Sequence, residues 1–254
     1  MSTEAVGRLD RGDGVELAWA HLPGTGPTVV FLPGFKSDMA GSKATHLRDW
    51  CAANGRAMLR LDYSGHGASG GAFEDGTIGR WCADARAVIE ARVSGPLLLV
   101  GSSMGGWIAL LLARAMAGRV AGLVGIAAAP DFTETLLWEG LSEPERAQLM
   151  QGGFIERPSE YGEKPYRFTR ALIDDGRAQC LLGGAIAIGC PVRLLQGQRD
   201  PDVPWQTALR IAEQVASEDV GIVLVKDGDH RLSRPQDLAL LSRTVAGLLA
   251  QDGA

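Results

Sequence analysis

No part of this sequence is apolar for long enough to cross a bilayer. A spanning helix needs about 20 consecutive apolar residues, and the longest apolar runs, such as residues 107–113, are far shorter. Basic clusters are missing too. The 25 lysines and arginines are dispersed among 30 acidic residues, for a formal net charge of −5. Nothing here would track a phosphate backbone, so nucleic acid is not an expected partner. The amino terminus, MSTEAVGRLD, lacks the basic segment and apolar run of a secretory signal. Cysteine is scarce. The four present, at 51, 82, 180 and 190, form no CxxC pair and no Cys/His cluster with zinc-ligand spacing. They read as buried structural thiols of a reducing compartment, and the expected location is the cytoplasm. A chain of 254 residues can bury a large core without disulfide or metal staples. Neither a metal nor an organic cofactor is expected.

What is present is an alternation of short apolar runs with segments of helical period. Residues 15–20, 28–32, 57–61, 96–100, 120–127, 192–196 and 220–225 have strand length. Residues 41–53, 77–93, 104–117, 205–216 and 235–249 have helical spacing, the second starting from a threonine able to cap its first turn. Strands apolar throughout, alternating with helices, predict a mostly parallel sheet covered on both faces. The rhythm stops between residues 131 and 189. There, acidic helical pieces alternate with the breakers Gly152, Gly153, Pro158, Gly162 and Pro165. The expectation is a core built from 1–130 and 190–254, with 131–189 inserted above it as a helical lid and free of strands. Its apolar residues Leu136, Leu137, Trp138, Leu141, Met150 and Phe154 either line a substrate pocket or fasten the lid. Trp138 and Phe154 are the pocket candidates.

Residues Gly101-Ser102-Ser103-Met104-Gly105 spell G-x-S-x-G. A chain with 34 glycines can produce that pattern by chance, but here it joins the run Leu97-Leu98-Leu99-Val100 to a helix. That is the strand–turn–helix setting of a nucleophile elbow. Small residues two positions before and after the serine relieve a tight turn. The following helix brings its N–H groups and dipole to developing negative charge. Ser103 is the candidate nucleophile; Ser102 lacks the glycine spacing. A serine needs a base within hydrogen-bond reach and a carboxylate to orient that base. Of the four histidines, at 21, 46, 66 and 230, His230 alone follows Ser103, just after a strand. His21 and His46 read as packed or solvated. His66 sits in the glycine-rich loop Asp62-Tyr63-Ser64-Gly65-His66-Gly67 and is a candidate to line the site. The acid should follow strand 192–196. Asp200 is favoured over Asp202, which sits beside Pro204 as a helix-start residue; either could serve instead as a helix cap. Two backbone N–H groups should receive the oxyanion: Met104, after the nucleophile, and Phe35, in Pro33-Gly34-Phe35-Lys36 after strand 28–32. The Phe35 ring is a candidate for the acyl pocket.

These motifs, with Phe31-Leu32-Pro33-Gly34-Phe35, Gly106-Trp107, Arg193-Leu194-Leu195-Gln196-Gly197, Val203-Pro204-Trp205 and Asp229-His230-Arg231, resemble the α/β-hydrolase superfamily. Within it they are similar to the mitochondrial acyl-glucuronide esterase and palmitoyl-protein thioesterase subgroup, from about residue 28 to 250. The resemblance implies an α/β-hydrolase fold and a cofactor-free serine esterase or thioesterase acting on small-molecule or acyl-protein substrates. By matched position it supports Ser103, Asp200 and His230. A C–C bond hydrolase of ring-cleavage products and a non-catalytic ligand-binding member of the fold are the alternatives. A dehalogenase is disfavoured, because its nucleophile should be aspartate and Ser103 occupies that place.

Overall fold

The computed structural model describes residues 3–158 and 165–251; Gly162, among the breakers above, lies outside them. Its strands are β1 (Ala5–Asp10), β2 (Glu16–Leu22), β3 (Thr25–Leu32), β4 (Arg56–Leu61), β5 (Leu97–Ser102), β6 (Val120–Ile126), β7 (Phe154–Arg157), β8 (Tyr166–Thr169), β9 (Val192–Gly197) and β10 (Val220–Val225). The helices are α1 (Ser42–Ala53), α2 (Ile78–Arg92), α3 (Met104–Ala115), α4 (Glu143–Gly152), α5 (Arg170–Ala178), α6 (Gln206–Gln214) and α7 (Pro235–Gln251). The eight-stranded sheet runs β1-β2-β4-β3-β5-β6-β9-β10. In this sheet β1 pairs with β2, and β2 with β4, antiparallel; along β4-β3-β5-β6-β9-β10 every pairing is parallel. This is the α/β-hydrolase fold expected from the sequence.

The central strands are apolar throughout because both of their faces are covered. Residues Leu97–Ser102 are buried at every position. On one face Trp81 and Val88 of α2, Trp107 and Leu111 of α3, and Ile211 of α6 pack with Leu99 and Leu123. On the other, Leu47 of α1 and Leu241, Val245 and Leu248 of α7 pack with Leu98, Val100 and Val124. Thr77 caps α2 by accepting from the Arg80 N–H at 3.2 Å. Strand order places the functional end. From β3 the chain moves to β4 on one side, then crosses to β5 on the other. The carboxyl ends of β3 and β5 therefore diverge into a crevice, the position where open parallel sheets bind ligands.

The structure differs from the sequence reading in three places. Strand β1 was not anticipated, because its side chains are mostly exposed or half-exposed and carry no apolar signal. The segment 131–189 is not strand-free: β7 and β8 form an antiparallel hairpin between α4 and α5, after a π-helical turn at Thr133–Trp138. These pieces share a small core of Leu137, Leu141, Leu149, Ile155 and Ile173. Asp131 fastens the segment at its root. This non-glycine residue has φ of 61°, and its carboxylate accepts the N–H groups of Leu181 and Leu182, both at 2.8 Å. Departure and return thus meet at one side chain. The cysteines are all free, but only Cys51 is buried, its thiol raised to about 12 by that burial. Cys180 is exposed, contrary to expectation.

Candidate active site

Ser103 stands at the junction of β5 and α3 with φ 54° and ψ −120°. A non-glycine residue in that region is strained and persists only where its surroundings hold it. The holding groups are specific. The Ser103 N–H donates to the Ile126 carbonyl at 2.9 Å, and its own carbonyl accepts from Gly106 and Ala129. The flanking glycines are needed for space. A Cβ on Gly101 would lie 2.2 Å from the Gly105 carbonyl oxygen, and one on Gly105 2.0 Å from that of Leu32.

His230 follows β10, and Asp200 follows β9. The His230 Nε2 lies 3.1 Å from Ser103 Oγ, and its Nδ1 lies 2.8 Å from Asp200 Oδ2. A carboxylate only accepts, so the proton sits on Nδ1 and Nε2 is left to accept from the serine hydroxyl. The Asp200 side chain is buried and surrounded by donors. Its Oδ2 also accepts from the Gln196 amide at 3.0 Å, and its Oδ1 accepts from the N–H groups of Asp202 and Val203 at 2.8 and 2.9 Å. Burial alone would raise this carboxyl, but the hydrogen bonds, chiefly to His230, hold it below the ordinary carboxylate value. Asp202 is part of this turn through its N–H and lines the cavity, while the histidine bond goes to Asp200. Asp229 turns away, accepting from the Leu232 N–H at 2.9 Å. Carboxylate or imidazole atoms of Asp200, Asp202 and His230 converge within 4.8 Å, but His230 and Asp200 direct theirs at each other. His46 bonds Ser242 at 2.7 Å, away from the nucleophile.

Both expected oxyanion donors adjoin Ser103. The Met104 N–H opens α3 and so has no intrahelical acceptor. The loop carrying Phe35 presses on the elbow: a Cβ on Gly34 would be 3.3 Å from Ser103 Cβ and 4.0 Å from its Oγ. Above them opens a cavity of about 580 Å³, lined by Ser103, Met104, His230 and Phe35. Its apolar wall comes from Phe132, Leu136, Leu137, Tyr166 and Phe168 of the 131–189 segment. Phe35 stacks on Phe168 at 5.3 Å between ring centroids, with 9° between the planes. The lining also includes Lys36, Lys43, Arg157, Arg231, Asp38 and Asp202; burial pushes Lys43 down to about 8.

The pocket candidates Trp138 and Phe154 are not on this wall. Trp138 packs on the small core of its own segment and lies under the guanidinium groups of Arg146 and Arg177. Phe154 is exposed beneath Arg167. Met150 is exposed and Leu141 belongs to the segment core, whereas Leu136 and Leu137 reach the cavity. Phe132, Tyr166 and Phe168 were missed. Each is a lone aromatic, and no local pattern marks which way it faces.

Residues 29–239 match the alpha/beta hydrolase family, and the chain belongs to it. Across 246 residues it is 38% identical to the palmitoyl-protein thioesterase ABHD10, mitochondrial, of Bos taurus, covering 96% of this chain and 80% of that one. Among solved structures it resembles a putative hydrolase from Agrobacterium vitis S4, at 45% identity and a TM-score of 0.92, covering 98% of this chain and 99% of that one. It also resembles mouse alpha/beta hydrolase domain-containing protein 10, at 36% identity and a TM-score of 0.90, with 97% and 99% covered. The chain is a hydrolase, and these similarities favour an ester or thioester hydrolase over the two alternatives. They do not bear out the cytoplasmic location expected from the sequence, since the palmitoyl-protein thioesterase relatives are named mitochondrial. The four free cysteines do not identify a compartment. No helix among the described residues is long and apolar enough to cross a membrane.

Proposed function

We propose that Ser103, His230 and Asp200 act as a catalytic triad that hydrolyses acyl esters or thioesters through an acyl-enzyme. The observation that carries this is the continuous hydrogen-bond chain from Ser103 Oγ through His230 to Asp200 Oδ2. Ser103 Oγ attacks the acyl carbon while His230 Nε2 takes its proton. The N–H groups of Phe35 and Met104 hold the oxyanion. His230 then gives its proton to the departing alcohol or thiol, and water repeats the sequence on the acyl-serine. The wall of Phe35, Phe132, Leu136, Leu137, Tyr166 and Phe168 suits an apolar acyl chain. The relatives named palmitoyl-protein thioesterase point the same way. On this reading the segment 131–189 is the lid that selects the acyl group.

The test is Ser103→Ala. It should fold normally, lose fluorophosphonate labelling and lose on the order of 10⁴-fold or more in turnover of an acyl thioester, because nucleophile and base act as a unit. Full activity in that variant, with Ser102→Ala inactive, would move the nucleophile by one residue.

A further inference from the structure

Beneath the proposed oxyanion loop lies a buried histidine that the triad does not use. His66 is 3% exposed, and its ring is enclosed by Tyr63, Phe73 and Trp81, with centroids 5.5, 5.1 and 5.0 Å away. Its Nε2 faces the Lys36 N–H at 3.3 Å, and its Nδ1 faces the Ser64 carbonyl at 3.2 Å. Lys36 can only donate at that point and Ser64 can only accept, so the proton belongs on Nδ1. One residue upstream of the same loop's centre, the Tyr63 hydroxyl donates to the Pro33 carbonyl at 3.2 Å.

The two bonds bracket Gly34–Phe35, one on the peptide group before the pair and one on the peptide group after it. Lys36 itself has φ of 53°, a left-handed conformation that a lysine holds only under constraint. We infer that His66 is a positioning residue for the oxyanion hole: together with Tyr63 it clamps the loop at both ends and so fixes the direction of the Phe35 N–H. The inference rests on the reading of Phe35 as an oxyanion donor.

The clamp has a firm base. The Ser64 carbonyl that receives His66 also accepts from Trp81 Nε1 at 3.1 Å. The Ser64 N–H and hydroxyl both donate to buried Asp84, at 2.9 and 2.6 Å. Both Trp81 and Asp84 belong to α2, so the position of Phe35 is referred through His66 and Ser64 to a helix in the main core. Asp62 ties the loop further along, accepting from the Met39 N–H at 2.7 Å and the Ala68 N–H at 2.8 Å. The layer is tightly packed: a Cβ on Gly65 would be 2.5 Å from Phe73 Cα, and one on Gly67 2.2 Å from Asp62 Oδ2. Burial pushes the imidazole down to about 4, which keeps the accepting lone pair of Nε2 available at neutral pH. A protonated ring would present N–H to N–H.

The test compares His66→Leu, which removes the acceptor, with His66→Gln, whose amide oxygen can replace it. Steady-state kinetics are read beside the affinity for a trifluoromethyl ketone, which forms a hemiketal oxyanion on the serine and so reports the oxyanion hole. Deleting an oxyanion donor outright costs about 10²–10³-fold; a donor left in place but loosened should cost about 10–100-fold. In His66→Leu, kcat and kcat/KM should fall together by that factor with KM unchanged, and ketone affinity should fall in step. His66→Gln should recover most of both. Wild-type kcat in a folded His66→Leu, a lower kcat with undiminished ketone affinity, or a glutamine variant no better than leucine overturns the assignment. If His66→Leu does not fold, Tyr63→Phe decides: a joint fall in kcat and ketone affinity sustains the clamp, and wild-type values for both refute it. Ser103→Ala, assayed alongside, separates this from the proposed function, because activity surviving there refutes the triad whatever the His66 variants do.

Discussion

Gly105→Ala introduces a single methyl group at the point where the elbow meets the oxyanion loop. Its Cβ would lie 2.0 Å from the Leu32 carbonyl oxygen and 2.5 Å from that of Pro33, where real contacts essentially never fall below 3.0 Å. The two backbones must therefore part by about 1 Å. Both obstructing carbonyls immediately precede Gly34–Phe35, so the displacement is between Ser103 and the proposed oxyanion donor. A misplacement of about 1 Å in a catalytic array costs on the order of 10²-fold in rate. Overpacking of this kind costs about 1–3 kcal/mol, which lowers Tm by roughly 2–4 °C per kcal/mol in a chain of this size. Gly247→Ala is the control. It lies in α7 with nothing within 4 Å of an added Cβ, and it should gain about 0.5–1 kcal/mol from helix propensity with activity unchanged. The assay is kcat on a short-chain ester together with thermal melting of both variants. Gly105→Ala with wild-type kcat and Tm would show that the elbow and the loop do not constrain each other.

Asp200→Asn should lose about 10⁴-fold in kcat, because the amide favours the wrong imidazole tautomer, while Asp202→Asn should lose far less; the reverse order in a direct kinetic comparison would move the acid. Because the Asp200 carboxyl is held below its ordinary value, its stabilising contribution is complete above about pH 4 and disappears as pH falls through the folded-state value. The Tm gap between wild type and Asp200→Asn should therefore narrow between pH 7 and pH 3, and a constant gap would contradict the assignment of the shift. Phe168→Ala should raise the long-chain to short-chain ratio of kcat/KM across an acyl thioester series, each methylene newly accommodated being worth about 0.8 kcal/mol, or roughly 4-fold. Trp138→Ala should lower Tm and leave that ratio alone; a changed ratio there would put Trp138 back on the pocket wall.

Legibility in the sequence follows how local each constraint is. The elbow can be read because its strand, glycines and helix are contiguous, and the order Ser103, Asp200, His230 can be read because each residue follows its own strand. The aromatics of the 131–189 segment cannot. Tyr166 and Phe168 reach the cavity through the β7–β8 hairpin, whose four-residue strands are too short to show alternation. Trp138 stands beside cavity-lining Leu137 in sequence but packs elsewhere. His66 was visible as a residue in a glycine-rich loop. Its contact with the Lys36 N–H spans 30 positions and exists only once β3 and β4 are paired.

The Asp131 carboxylate, grasping Leu181 and Leu182 where the segment between β6 and β9 departs and returns, has a consequence for descent. A stretch whose two ends already meet is a cassette. Extending a flexible loop costs only about 0.6 kcal/mol for each doubling of its length, and nothing in the sheet must move to admit a longer or differently folded replacement. If the segment selects the acyl group as proposed, acyl preference changes by exchanging what lies between residues 131 and 181, while the strand ends that carry Ser103, Asp200 and His230 are inherited unaltered.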